Sequence, residues 1–581
     1  MKKLRISSIL LLLVCAFAEG QTPTRKVYTT TPTYNDLIIT YQGFTRESPE
    51  TRLVAYGTTD VGKPLHLFII SKDRIFDPVE IHKRGYRVLL INNGIHPGEP
   101  DGIDASIELV KTLLSEPAKL PANLIICIVP VFNVDGCLNR GKYSRVNQNG
   151  PEEYGFRGNA KNLDLNRDFI KCDAENTRSL EKIFQEWQPD VFVDTHVSDG
   201  ADYQYVMTLI STQRNKLHPV LSKYLVNEML PSLYKTMKEK KYEMCPYVNE
   251  VGETPDDKGI AEFLETPRFS TGYTTQFNTI GFVTEKHMWK PYNDRVWATY
   301  EFLLALVDLT DKDAEKIAKL HHQAMNETAD QNDFVLNWEL DTSKFEMIDF
   351  KGYEGKHKTS NISGQQRLYY DRNAPFTKKI KFYDSYKPSL SVTKPAIYII
   401  PQGWSEVIAR LKLNNVIMQQ LKKDTTIKAE AYYIDDYQTN KTPYEGHYLH
   451  HGTKIHSEVQ KLNFYKGDYV IVCNQYCNRY VVETLEPQGD DSFFAWGFFD
   501  AILQQKEWFS DYIFEEKAEE ILKNDPKLKA EFDEKMSKDK EFSADHWAQL
   551  AWIYQHSIYH EKSQNRYPVV RLSEFTRLPV E

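Results

Sequence analysis

The sequence predicts an α/β protein built on a largely parallel or mixed sheet, and three observations carry that prediction. Strand-length apolar runs such as "RVLLINN" and "VFVDTH" lack polar alternation, as strands covered on both faces do. Segments of helical period separate them. Polar groups gather directly after the runs, at the carboxyl ends where open α/β sheets hold their sites.

The elements follow in chain order. Between Arg52 and Asp73, "AYGTTDVGKPLHLFIIS" reads as two strands joined by a Gly-Lys-Pro turn. "YRVLLINN" is a buried strand, and Asp101–Glu116 has helical spacing with Asp101 in an N-cap-like position. "NLIICIVPVFNVDG", "PDVFVDTHVSDG" and "TIGFVTEKH" supply three further buried strands. Helical patterns cover Ala174–Trp187 and Leu217–Lys240, and "DRVWATYEFLLALVDLT" closes this part near Leu309. The texture then changes. Charged helical sequence over Asp311–Asp330 leads to strand-like "QRLYYDR", "PAIYIIPQG" and "AEAYYIDDY". A helix is expected over Trp404–Lys422, and helical sequence again from Ser492 to Gln555. The expected division is a leader at 1–18, a catalytic domain at 19–310 and a C-terminal mixed α/β region of unassigned role at 340–581.

A chain of 581 residues is too long for one ordinary domain. A formal charge of -9 argues against nucleic acid, whose phosphates need a basic face. At the N-terminus Lys2, Lys3 and Arg5 precede the apolar stretch Ile9–Phe17 and the small-residue pattern Ala16-Phe17-Ala18. That is the layout of a cleaved secretory signal, so a secreted or periplasmic product without a membrane span is expected. Cys15 as a lipid-anchor site is disfavoured by the bulky Val14 before it. Of the six later cysteines, Cys127 lies in an apolar run and reads as a buried small hydrophobe. Cys473 and Cys477 could form a local disulfide or remain free thiols.

"INNGIHPGEPDG" ends an apolar strand in a histidine, a turn and a glutamate. His96 and Glu99, joined by His196 from "DTH", make a ligand set suited to a catalytic zinc, which keeps an open position for water. Pro97 and Gly98 make the turn rigid. "NLDLNRDF" sets Asn166 beside Arg167, whose guanidinium fork matches a planar carboxylate. Glu285 ends an apolar strand, where a carboxylate must be paired or functional.

These four motifs, HxxE, Asn-Arg, a strand-end histidine and a strand-end glutamate, occur in the order found in the carboxypeptidase A-like zinc carboxypeptidases. The chain resembles that family over roughly residues 34–309, and the resemblance implies a mixed, roughly eight-stranded sheet flanked by helices. It implies one Zn2+ held by His96, Glu99 and His196, with Glu285 as the general base toward the zinc-bound water. Asn166 and Arg167 would clamp the free α-carboxylate of a peptide or protein substrate, and Asp164 would orient the first zinc histidine. For the oxyanion arginine Arg157 is preferred, with Arg140 and Arg145 as rivals. Tyr273 is the nearest candidate for the tyrosine that folds over the substrate, at a shorter spacing than in the pancreatic enzymes. Val197 stands where the digestive enzymes carry serine.

The function implied is a secreted zinc metallocarboxypeptidase removing C-terminal residues. Two alternatives keep the site: a zinc amidohydrolase for N-acyl amino acids or cell-wall peptides, and an inactive peptide-binding relative. No charged residue occurs between Phe269 and Thr284, so the side-chain pocket is expected to favour neutral or apolar residues. "EGHYLHHGTKIH" offers four histidines, and a hydrogen-bonding loop is favoured over a second metal site. Asn326, Asn361 and Asn440 open glycosylation sequons.

Overall fold

The computed structural model describes residues 25–581, so the expected leader at 1–18 and Cys15 lie outside the described residues. Seven strands come first: β1 (Thr51–Thr58), β2 (Pro64–Ile70), β3 (Arg87–Asn93), β4 (Leu124–Val129), β5 (Val191–Ser198), β6 (Met207–Ser211) and β7 (Met244–Pro246). Two more follow before Leu309, β8 (Ile260–Ala261) and β9 (Ile280–His287). All but β8 join one mixed eight-stranded sheet, in the order β1-β2-β4-β3-β5-β9-β6-β7. Its centre is parallel: β3 pairs with β4 and β5, and β5 with β9. Val88 to Ile91 are wholly buried, which is why this strand shows no polar alternation.

Helices flank the sheet. Asp101–Ser115 and Tyr292–Lys312 are tied by a fully buried pair, Arg295 Nε to Asp101 Oδ2 at 3.2 Å. Arg295 also donates to the carbonyls of Met288 at 2.8 Å and Gly150 at 2.7 Å, so its buried charge is satisfied. This corrects the N-cap expectation for Asp101. Pro100 occupies the cap without a side-chain bond, and Asp101 spends its carboxylate on Arg295.

Beyond Leu309 a six-stranded sheet forms around Ile397–Ile400, with its own core of Ile397, Ile399, Leu421, Ile427 and Val470. A long hairpin, Glu346–Thr359 with Gln366–Tyr383, reaches back and pairs Phe382 and Tyr383 with β8. Two helical expectations fall short here. The helix at Ser405–Leu413 stops in a Schellman motif: Val416 N–H reaches Leu411 O at 3.0 Å, and Asn415 N–H reaches Lys412 O at 3.1 Å. Asn415 sits at φ +56°, a position asparagine tolerates better than most residues. The final helices begin only at Asp511, because Phe493, Phe494, Trp496 and Phe499 are all buried in an irregular plug. Cys473 and Cys477 are free, buried thiols, so the local disulfide is not formed. Among the described residues no helix is long and apolar enough to cross a membrane.

Candidate metal centre and substrate cleft

Three parallel strands deliver the site. β3 ends at Asn93, and Gly94 at φ +64° turns the chain; a Cβ there would lie 3.0 Å from Val131. Glu99 N–H then closes a tight turn onto His96 O at 2.8 Å. β5 supplies His196 and β9 supplies Glu285, and those two residues face each other in register.

Glu99 sits between two imidazoles. Its Oε1 lies 3.2 Å from His96 Nδ1, and its Oε2 lies 3.3 Å from His196 Nδ1. The ligand atoms of the three residues all fall within 4.8 Å of one another. Each imidazole spends its other nitrogen on a carboxylate: His96 Nε2 on Asp164 at 2.9 Å, His196 Nε2 on Asp194 at 3.0 Å. An imidazole that donates from Nε2 offers its lone pair at Nδ1, so both lone pairs aim at one point. His96 Nδ1 is buried and has no hydrogen-bond partner among the described residues. A buried nitrogen left this way, in a set of two imidazoles and one carboxylate, fits zinc.

Asp194 was legible in "DTH" as the acid two residues before the ligand, where strand alternation points both side chains the same way. Val197 is the other surprise. Its backbone N–H donates to Glu99 Oε2 at 2.7 Å, so the main chain after the third histidine fixes the ligand carboxylate.

The arginines separate clearly. Arg140 is turned away onto the carbonyls of Thr31 and Pro32. Arg157 reaches Asp164 at 2.8 Å and lies 3.7 Å from Glu99. Arg145 is closer to the ligand, 2.9 Å from Glu99 Oε1, and Gly98 makes room for it, since a Cβ there would meet Arg145 Cδ at 2.7 Å. Asn166 takes the Ser270 N–H on its Oδ1 at 3.0 Å, and the Arg167 guanidinium lies over the Phe269 ring at 4.4 Å. Arg145, Arg157, Asn166, Arg167, the three candidate ligands and Glu285 all line one cavity of about 320 Å³.

Charge is distributed unevenly within it. Burial would push the Glu99 carboxyl up, but Arg145 and the two histidines overcome it and hold the group well below the usual carboxylate range. Burial likewise opposes ionisation of Asp164, and His96, Arg157 and Arg167 outweigh it. Glu285 goes the other way. Burial raises its carboxyl, His196 offsets part of that, and repulsion from Glu99 adds to it. Its Oε2 has no protein partner among the described residues. A carboxylate poised toward protonation beside a metal-ligand set is suited to accepting a proton and giving it back.

Tyr273 does not reach this cavity. It is buried among Phe169, Phe184 and Phe277, and its hydroxyl donates to Asn414 Oδ1 at 2.7 Å. Tyr247 and Phe263 line the cavity instead. Glu265 also lines it, with Oε2 held by Thr271 N–H at 2.9 Å. That acid lies just upstream of the 269–284 window from which a neutral pocket was expected.

Residues 40–299 match the model of the zinc carboxypeptidase family. This segment is a zinc carboxypeptidase domain. It makes the protein a zinc metallocarboxypeptidase, a hydrolase of peptide bonds. Carboxypeptidase 2 of Trichophyton rubrum is 22% identical over 431 residues, spanning 70% of this chain and 73% of that protein. Carboxypeptidase 2 of Trichophyton equinum gives the same identity and spans. Among solved structures, a metallo-carboxypeptidase from Burkholderia cenocepacia aligns at 15% identity and a TM-score of 0.35, covering 47% of this chain and 68% of its own. One from Pseudomonas aeruginosa aligns at 15% and 0.36, covering 48% and 68%.

Proposed function

We propose that this zinc carboxypeptidase is exported and removes single residues from the C-termini of peptides, with Glu285 as its general base. The observation that carries the reading is the pairing of the His96–Glu99–His196 triangle with the unpartnered Glu285 Oε2 across one strand register. Bound zinc would supply Lewis acidity that lowers the pKa of water toward neutrality. Glu285 accepts the proton of the attacking water and delivers it to the leaving amine. Arg157 stabilises the developing oxyanion, with Arg145 beside it on the same oxygen of Glu99. Asn166 and Arg167 take the substrate's α-carboxylate, which restricts cleavage to the last bond. Tyr247 replaces Tyr273 as the tyrosine beside the substrate, because its ring is the one in the cavity wall. Residues 340–581 serve as an accessory region to this domain.

Mass spectrometry of a peptide library tests the reaction with wild type and Glu285→Gln. Loss of one C-terminal residue by wild type alone is expected. Internal cleavage, or equal activity of the variant, overturns the mechanism. Turnover confined to N-acyl amino acids or cell-wall peptides would move the substrate class and leave the catalytic groups in place. Zinc content without turnover on any of these would support a peptide-binding role. Export is checked separately, by sequencing the N-terminus of the natural product.

A further inference from the structure

The histidine-rich segment around residue 447 is a hydrogen-bonding loop of the C-terminal region whose tip reaches Asp164, beside the candidate metal centre. Tyr444 N–H donates to His447 O at 2.7 Å and His447 N–H returns to Tyr444 O at 3.0 Å, enclosing a two-residue turn. Its central residues, Glu445 and Gly446, both have positive φ, +51° and +85°. Asparagine, aspartate and glycine are the usual occupants of such a turn, and a glutamate there costs about 1 kcal/mol of backbone strain. The strained residue makes a specific contact. Glu445 Oε2 accepts the backbone N–H of Asp164 at 2.7 Å, across 281 residues of sequence.

Asp164 caps the single turn Leu165–Arg167, which contains Asn166 and Arg167, and it orients His96. Glu445 therefore anchors the main chain of the residue whose Oδ1 serves both His96 Nε2 and the Asn166 N–H of the clamp. The turn is itself secured. His447 Nε2 bonds Asp173 at 2.7 Å, and Tyr444 stacks on Trp496 with ring centroids 6.1 Å apart. A second C-terminal acid grips the other side of the clamp: Asp491 takes Arg268 Nε at 2.7 Å and its N–H at 3.0 Å. Arg268 precedes Phe269, the ring under Arg167.

We propose that Glu445 is a positioning residue for catalysis, and that through it the C-terminal region completes the active site. Its kinetic readout rests on the carboxypeptidase reading above; its metal readout does not. Three variants separate a positioning role from plain stabilisation. Glu445→Gln keeps the acceptor and should stay within about threefold of wild type. Glu445→Ala and Glu445→Gly lose it and should drop kcat/KM about tenfold, chiefly by raising KM, with faster zinc release to a chelator. Glu445→Gly also relieves the positive-φ strain, so its thermal midpoint should equal or exceed that of wild type. Low activity in a thermally sound glycine variant, restored in the glutamine variant, is the supporting result. Wild-type kcat/KM and zinc release in both the alanine and glycine variants overturns the proposal. So does activity that simply tracks thermal midpoint across the three. A wild-type protein without peptidase turnover would sink the functional reading alone, and the zinc-release rates would still decide this one.

Discussion

At the scale of single residues, the site is a set of shared atoms, and its substitutions separate by what each atom touches. Glu285 presents one oxygen to the cavity without a protein partner and carries a carboxyl raised by burial. Glu285→Gln should therefore lower kcat about 10²- to 10⁴-fold, the range for losing a general base, while leaving the denaturation midpoint unchanged or higher. A large stability loss in that variant would mean the carboxylate is structural. Asp194 holds the outer nitrogen of His196 on one oxygen and takes the Asn92 amide on the other. Asp194→Asn removes the negative acceptor that fixes the imidazole tautomer, and should weaken zinc binding about 10- to 100-fold. Titration against a competing chelator measures this directly. Unchanged affinity would reduce Asp194 to a core-packing role. His96 and Glu99 fall just past a strand end, where a polar side chain after an apolar run is conspicuous in sequence. Asp164 and Arg157 lie in a long polar loop and are named only through the family resemblance. Val197 could not be seen there, because its contribution is a main-chain N–H and any residue type would provide it.

At the scale of elements, the central strands were legible because burial on both faces leaves an unbroken apolar run. The sites at their ends followed from the α/β rule. Legibility failed where side chains answer to partners remote in sequence. The helix expected to run to Lys422 ends at an asparagine pair whose first member, Asn414, is a buried hub. Asn414 Nδ2 donates to Glu181 Oε2 at 2.9 Å and to Tyr480 Oη at 3.1 Å, and its Oδ1 accepts from Tyr273. No local period encodes that arrangement. The same hub explains why Tyr273 looked like a substrate residue: it lies at a suggestive distance before Glu285, on the short helix Ser270–Thr275 packed against the sheet. The hydroxyl faces the other way, into the junction. Tyr273→Phe should leave kcat/KM close to wild type and cost roughly 1–3 kcal/mol of stability, by depriving the buried amide of Asn414 of a donor. Tyr247→Phe should show the opposite pattern, lower kcat/KM with little change in denaturation midpoint. Exchange of those two outcomes would return the covering role to Tyr273.

At the scale of the whole molecule, the two regions meet through polar networks as well as apolar packing, and this makes their union sensitive to pH. Glu181, on the helix Glu175–Trp187, is fully buried where the hub crosses between regions. Burial pushes its carboxyl up to about 8, with the Asn414 bond opposing and Asp168 adding to the rise. Unfolding returns it to the ordinary range near 4.5. The sign follows from linkage. A raised folded pKa means the unfolded chain releases this proton more readily, so the group's stabilising contribution is complete below about pH 4.5. It is lost progressively as pH rises toward and through about 8. Glutamine mimics the protonated acid and cannot ionise. Glu181→Gln should match wild type near pH 4.5 and become the more stable protein at higher pH. The gap should widen by at most about 1.4 kcal/mol per pH unit and flatten above pH 8 or so. Denaturant melts of both proteins at pH 5, 6.5, 8 and 9 check this, with buffers of roughly equal ionic strength. Parallel stability curves would show that Glu181 keeps its charge in the folded state and that the junction has another source of tolerance. A divergence confined to alkaline pH would instead place the hub among the first contacts to loosen, ahead of the sheet that carries the metal ligands.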